Sequence, residues 1–267
     1  MKLENKRILI TGGSSGIGYA TAQNLLQRGA RVAISGRRQE ALTKAVEGLR
    51  SFGDVTAICA DVATGEGREE TLSQALAALG GLDILVNNAG GLRAGPLSQL
   101  EETDIMKMVE VNLLAPILLT RAALPALEKS GDSMVVNVSS ALALVGIPFY
   151  SIYAAVKAGV AHFGESLRRE LKGEGIHVMT VFPGGTDTPM MKTSNAGPEL
   201  GFTLEPVEAV AEAIVAGMEE DALTVIRGGE QRQEMIALNR TDPAKLDERF
   251  AGLKDTLADA VKDHTAL

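Results

Sequence analysis

The 267 residues carry 26 basic and 34 acidic side chains, and the resulting formal charge of −8 opposes binding to nucleic-acid phosphates or to an anionic membrane. With 45% hydrophobic and 22% charged residues the chain has ample apolar material for one large core, which excludes a disordered polymer. Cys59 is the single cysteine, so an internal disulfide is excluded, and its strand-like setting from Val55 to Ala60 predicts a buried, unreactive thiol.

The polar start, Met1 to Arg7, precedes only a short apolar run, too short for a signal or membrane-spanning segment, so the expected location is cytoplasmic. From there to about residue 226, short β-branched runs alternate with longer segments of helical period. Strands are predicted near 7–11, 31–35, 54–60, 82–86, 133–139, 176–182 and 223–226, and helices near 16–28, 38–51, 66–79, 101–128, 152–173 and 206–218. Such alternation is the signature of crossover connections, hence of a parallel sheet covered on both faces. The expected fold is an α/β, Rossmann-type, doubly wound seven-stranded parallel sheet in a single domain, residues 1–267, with its core at about 6–227. Ligands of such a sheet bind beyond the carboxyl ends of its strands, where every motif below falls. Past the last strand, Asp242 caps Pro243, and Leu246, Phe250, Leu253, Leu257 and Val261 recur at helical spacing, predicting an amphipathic helix over about 242–263. Packing on its own domain and contact with a second copy are both open for that helix.

The first strand runs directly into Gly12, Gly13, Ser14, Ser15, Gly16, Ile17 and Gly18, and then into a helix. Glycines at such a turn let backbone amides approach a pyrophosphate at the positive end of the helix, although glycine turns also occur with no ligand. The second strand ends in Ser35, Gly36, Arg37 and Arg38, with no acidic residue. An acid there would accept hydrogen bonds from the ribose of NAD and repel the 2′-phosphate of NADP, whereas a hydroxyl and two guanidinium groups favour the phosphate. NADP(H) is therefore the expected cofactor, with NAD(H) the second choice and Arg37 the main contact. The alternative is that both arginines are solvated charges at a helix start. Asp61 and Val62, ending the third strand, are placed to bound the adenine, though an aspartate there serves equally as a turn or cap residue.

The later motifs are Asn87-Asn88-Ala89-Gly90, Asn112, Val138-Ser139-Ser140, Tyr153 with Lys157, and Pro183-Gly184-Gly185-Thr186-Asp187-Thr188. In this order, with the glycine turn, they resemble the short-chain dehydrogenase/reductase family over about residues 6–190, with general similarity to about 227. The chemistry is also legible in the residues. Tyr153 and Lys157 lie four apart in a helical segment and share a face. A tyrosine titrating near 10 is a poor base at neutral pH, but a neighbouring ammonium and a positively charged oxidised nicotinamide would both favour its phenolate, so Tyr153 is the expected general acid and base. Tyr150 has Ala154, not lysine, four places on, and reads as a packing residue.

The resemblance implies that Ser140 hydrogen-bonds the reacting oxygen, while Ser139 points the other way, and that Asn112 completes a catalytic tetrad through its backbone carbonyl. It implies that Asn88, Ala89 and Gly90 approach the cofactor ribose, that Pro183 and Gly184 lie beside the nicotinamide, and that Thr188 contacts its carboxamide. Thr186 departs from the apolar β-branched residue usual there. The segment from Met190 to Leu204 resembles the family's substrate lid. The implied activity is hydride exchange between the cofactor and a small-molecule carbonyl or alcohol, in a homotetramer or homodimer pairing the helices near 101–128 and 152–173. A catalytically lapsed NADP-binding sensor is the alternative, disfavoured by the intact tetrad. Arg93 reads as a surface arginine or a contact for an anionic substrate, and the dispersed His162, His177 and His264 offer no metal-ligand spacing. The motifs serve many substrates and select none.

Overall fold

The computed structural model describes residues 1–267. In chain order the elements are β1 (Arg7–Thr11), α1 (Gly16–Gln27), β2 (Arg31–Gly36), α2 (Gln39–Leu49), β3 (Val55–Cys59), α3 (Gly65–Leu79) and β4 (Ile84–Asn87). A crossover follows, α4 (Glu102–Val109), a π-helical turn (Glu110–Leu114) and α5 (Ala115–Ser130), leading to β5 (Ser133–Val138). Next come α6 (Ser151–Glu170), β6 (Ile176–Phe182), α7 (Val207–Glu219), β7 (Thr224–Ile226), α8 (Gly229–Thr241) and α9 (Pro243–Val261). The strands form one sheet in the order β3-β2-β1-β4-β5-β6-β7, and every pair is parallel. All seven expected strands are present, with ends displaced by no more than two residues.

Alternation along the strands sorts the core into two layers, because successive side chains leave opposite faces of a sheet. Ile8, Ile10, Val32, Ile34, Ile84, Val86, Val136 and Val181 pack beneath α1, α2 and α7. Leu9, Ala33, Ile58, Leu85, Val135 and Val178 pack beneath α3, α5 and α6. The span Glu102–Ser130 is long and apolar enough to cross a membrane by length and composition. Here it is the crossover between β4 and β5, with Leu119, Ala123 and Leu127 fully buried against the sheet. α9 lays Leu246, Phe250, Leu257 and Val261 into a third apolar cluster with Tyr150, Leu200 and Phe202, so its stripe packs on its own domain.

Two features differ from the sequence reading. α8 was not expected: it is polar almost all round, buries only Arg232, Met235 and Ile236, and therefore shows no apolar stripe. Cys59, expected to be buried, is exposed. β3 is the outer strand of the sheet, only Ile58 of it is buried, and Cys59 faces out with a weak 3.7 Å contact from Sγ to the Arg37 carbonyl.

Asp83, just before β4, joins β1 to the end of α5. It accepts from the Arg7 amide at 2.7 Å, from Arg7 Nε at 2.9 Å and Nη2 at 2.6 Å, and from Ser130 Oγ at 2.7 Å. Burial alone would push its pKa up, but these donors and the Arg7 charge together hold it down at about 2. A carboxyl whose folded pKa is depressed contributes stability above its unfolded pKa and loses it as pH falls toward the folded value. Asp83→Asn should therefore destabilise the protein at neutral pH and flatten the acid limb of its stability profile between about pH 4 and 2. Urea melts of both proteins across that range check this.

Candidate active site

The strand order reverses at β1, which has β2 on one side and β4 on the other, so the carboxyl ends of β1 and β4 open a crevice. Thr11 ties its floor together: its Oγ1 accepts from the Asn88 and Ala89 amides, both at 3.0 Å, while Asn88 Nδ2 donates to the Thr11 carbonyl at 2.9 Å. This fit requires glycine at two places. Gly12 has φ +67°, and a β-carbon on Gly18 would lie 2.4 Å from Asn88 Nδ2 and 2.5 Å from the Gly12 carbonyl oxygen. Thr11 opens the glycine turn in the sequence, but its role as a tie between β1 and β4 depends on Asn88 and Ala89, which are distant in the chain.

α1 begins at this turn with Ser15 as an extended N-cap that makes no side-chain capping bond, and with no acid in its first turn. Its leading amides are therefore available to an anion, which is the fit a pyrophosphate needs. Beyond β2, Arg37 and Arg38 are exposed and form no ion pair, as a phosphate-binding pair requires, and Gly36 leaves the strand end without an acid. Ser35 does not fit its expected role as a phosphate contact. It is 1% exposed, shares its strand face with Ala33 in the layer beneath α3, and its Oγ has no partner there. The hydroxyl near this strand end is instead Ser14, whose Oγ would lie 3.4 Å from a β-carbon on Gly36. Asp61 is half-buried and spends Oδ1 on the Ala63 amide at 3.0 Å, a turn role, while Val62 is buried beside it.

At the ends of β4 and β5 four residues converge. A β-carbon on Gly90 would lie 2.8 Å from Asn112 Oδ1 and 3.5 Å from Lys157 Nζ, which sets the two side chains side by side. Asn112 Nδ2 donates to the Gly91 carbonyl at 2.8 Å and to the Met108 carbonyl at 2.9 Å. It sits within the π turn, a departure from α-helical register that recurs at functional sites. Lys157 is 4% exposed, donates to the Val138 carbonyl at 3.0 Å and lies 5.6 Å from the centre of the Tyr153 ring. Ser139 and Ser140 turn to different partners: Ser139 Oγ donates to the Lys157 carbonyl at 2.7 Å, whereas Ser140 Oγ accepts from the Leu142 amide at 3.1 Å and stands by Tyr153.

In the protein alone, without the charge of an oxidised nicotinamide, the tyrosine pKa is not depressed. Burial pushes Tyr153 up to about 12, with Ser140 opposing part of the effect, and burial also pulls Lys157 down to about 8. Desolvation of both groups outweighs their attraction in the protein alone.

The Pro183–Thr188 turn crosses the same crevice. The Ala141 amide donates to the Pro183 carbonyl at 2.8 Å, and a β-carbon on Gly16 would lie 3.3 Å from Thr188 Cγ2. Thr186 is 4% exposed and its hydroxyl donates to the Gly184 carbonyl at 3.2 Å, so the unusual hydroxyl is satisfied internally. Met190, Met191, Phe202, Leu142, Leu144 and Tyr153 all join the third apolar cluster, which forms an apolar wall beside the tyrosine. Tyr150 packs in it, 5.9 Å from Phe202 and 6.0 Å from His264 between ring centres. Arg93 is half-buried and bridges to Thr265 near the C-terminus.

A glycine-turn crevice at a sheet reversal, with a serine, tyrosine, lysine and asparagine converging beyond it, defines the dinucleotide-type oxidoreductase class. Residues 6–199 match the family described as short chain dehydrogenase, and the chain belongs to that family. It is 38% identical over 192 residues to a short chain dehydrogenase of Pseudocercospora fijiensis, covering 71% of this chain and 62% of that protein's length. It is 30% identical over 263 residues to the ketoacyl reductase HetN of Nostoc sp., covering 95% of this chain and 91% of the relative. Among solved structures, a short chain dehydrogenase from Burkholderia cenocepacia in complex with NADP superposes with a TM-score of 0.79 at 35% identity, covering 86% of this chain and 99% of that one.

Proposed function

We propose that this protein is an NADP(H)-dependent oxidoreductase interconverting a carbonyl and a secondary alcohol, with Tyr153 as its general acid and base. The observation that carries the reading is the convergence of Ser140, Tyr153, Lys157 and Asn112 at the strand ends beside an uncapped helix start. Gly12, Ser14, Ser15, Gly16, Ile17 and Gly18 would cradle the pyrophosphate, Arg37 and Arg38 the 2′-phosphate, and Val62 with Asp61 the adenine. Asn88, Ala89, Gly90, Pro183, Gly184, Thr186 and Thr188 would line the ribose and nicotinamide. The bound nicotinamide supplies or accepts the hydride.

The chain's own residues handle the proton. Tyr153 holds one at neutral pH and donates it to the reacting oxygen during reduction, and Ser140 adds a donor to the same oxygen. Lys157 steadies the resulting phenolate by its charge. The Asn112 side chain braces the Gly91 backbone, which keeps the π turn and the lysine in register. The Met190, Met191 and Phe202 wall favours a substrate with an apolar body, in keeping with the ketoacyl reductase named among the relatives.

Titration with NADPH and NADH, followed by NADPH oxidation across a panel of ketones and aldehydes, tests the reading. Turnover supports it, and tight binding with no turnover on any carbonyl favours the lapsed sensor. Arg37→Ala should weaken NADPH by about 10- to 100-fold and leave NADH unchanged, because one charge-assisted contact is lost. Equal effects on both cofactors would contradict the NADP assignment. The exposed Met106 and Leu114 on the apolar crossover helix support pairing of two copies through α4, α5 and α6, as a dimer or tetramer, which light scattering reads directly. The net charge and the exposed free thiol favour a cytoplasmic setting.

A further inference from the structure

One buried guanidinium has no counter-charge. Arg232, in the first turn of α8, is 8% exposed and is the one buried arginine of the chain. Its Nη1 is enclosed without a hydrogen-bond partner, and Nη2 has only a long 3.5 Å contact to the Gly201 carbonyl. It forms no ion pair; Glu205, whose amide bonds the Gly185 carbonyl, gives only Oε2 to Arg227, at 2.6 Å, and its buried Oε1 has no partner. Burial accordingly pulls the Arg232 pKa down. A methionine or glutamine would fill the same space without desolvating a charge, so packing alone gives no reason for a guanidinium.

The surroundings supply further donors. Arg232 lines a small cleft with Gly185, Gly201, Thr203, Gln231 and Met235. α8 starts at its edge with Gly228, at φ +117°, as a cap with no side-chain bond, so the first amides of the helix lack side-chain partners there. The guanidinium and the helix-start amides make a donor set for an oxoanion, and the planar guanidinium edge matches a carboxylate. The cleft also adjoins the catalytic crevice. A β-carbon on Gly184 would lie 2.6 Å from Gly228 Cα, and Met235 belongs to the apolar cluster that includes Tyr153 and Met190.

We propose that the Arg232 cleft is an anion subsite that receives a carboxylate carried by the substrate, at the end remote from the reacting carbonyl. The assignment to substrate rests on the oxidoreductase reading above. It selects oxo acids over neutral ketones of the same shape, with the carboxylate anchored at α8 and the carbonyl presented to Tyr153.

The test uses NADPH-saturated protein, so that the cofactor's phosphate sites are filled. Melting temperature is followed against acetate and against inorganic phosphate, exchanged for chloride at constant ionic strength. A saturable rise with acetate in the wild type, absent in Arg232→Gln and partly restored in Arg232→Lys, is expected. Rates for oxo acids and their methyl esters form the second readout: Arg232→Gln should lower the acid-to-ester ratio of kcat/KM by about 10- to 100-fold, through KM, and leave the esters unchanged. A flat acetate titration of the wild type overturns the proposal without any variant, as does an acetate response retained in Arg232→Gln. A response to phosphate alone overturns the carboxylate assignment. An acetate response lost in Arg232→Gln, with no carbonyl turned over, supports the subsite and counts instead against the oxidoreductase reading.

Discussion

Tyr153→Phe is expected to reduce kcat by about 10²- to 10⁴-fold while NADPH affinity changes little, because the substitution removes the proton donor and keeps the ring. The ring's packing against the third apolar cluster survives, so the variant should melt close to the wild type. With its pKa pushed up to about 12, Tyr153 is protonated across the neutral range in the protein alone and can donate to a carbonyl oxygen. Tyr150→Phe is the control. That hydroxyl is buried with no hydrogen bond of ordinary geometry, so its removal should leave kcat unchanged and stability the same or slightly higher. Single-turnover mixing of enzyme, NADPH and a reducible ketone separates the two tyrosines. Equal loss in both variants, or residual full activity in Tyr153→Phe, would end the assignment.

Lys157→Met should give an enzyme that is more stable and nearly inactive. Lys157 is enclosed, with a single 3.0 Å bond to the Val138 carbonyl, and burial has pulled its pKa to about 8. A lysine whose folded pKa lies below its unfolded value burdens the fold while charged, and stability recovers as pH rises from the folded toward the unfolded pKa. Methionine keeps the volume and removes the charge, so stability at neutral pH should rise by roughly 1–3 kcal/mol, and the increase of stability between about pH 8 and 10.5 should disappear. Activity should fall by about 10²-fold or more, since Ser140 alone would be left to support a phenolate on Tyr153. The wild-type rate of reduction should decline above about pH 8 as Lys157 loses its proton. Chemical melts and pH profiles of both proteins check these signs. A less stable Lys157→Met would show that the Val138 bond outweighs the desolvation.

The parallel sheet and the meeting of Ser140, Tyr153 and Lys157 at the strand ends were legible because their signals are local. Short, largely apolar runs such as Arg7–Thr11 and Ser133–Val138, each followed by a helical stretch, dictate crossovers and therefore a two-layered cover. The glycine turn and the Tyr153–Lys157 spacing each lie within one turn or one helix, where sequence separation fixes geometry. α8 was not legible, because its three buried positions leave no apolar stripe to read.

The sequence by itself therefore determined the sheet, the order of its motifs and which side chains reach the strand ends. Only the tertiary structure decided the environments. It exposed Cys59 on an outer strand, buried Ser35 in the layer beneath α3, and enclosed Arg232 without a counter-charge. It also set how far burial moves Tyr153 and Lys157 in the protein alone, which their spacing does not report. The reason is physical: periodicity reports what a residue's immediate neighbours in the chain impose, whereas burial and desolvation depend on elements distant in sequence that meet only when the sheet and its helices close.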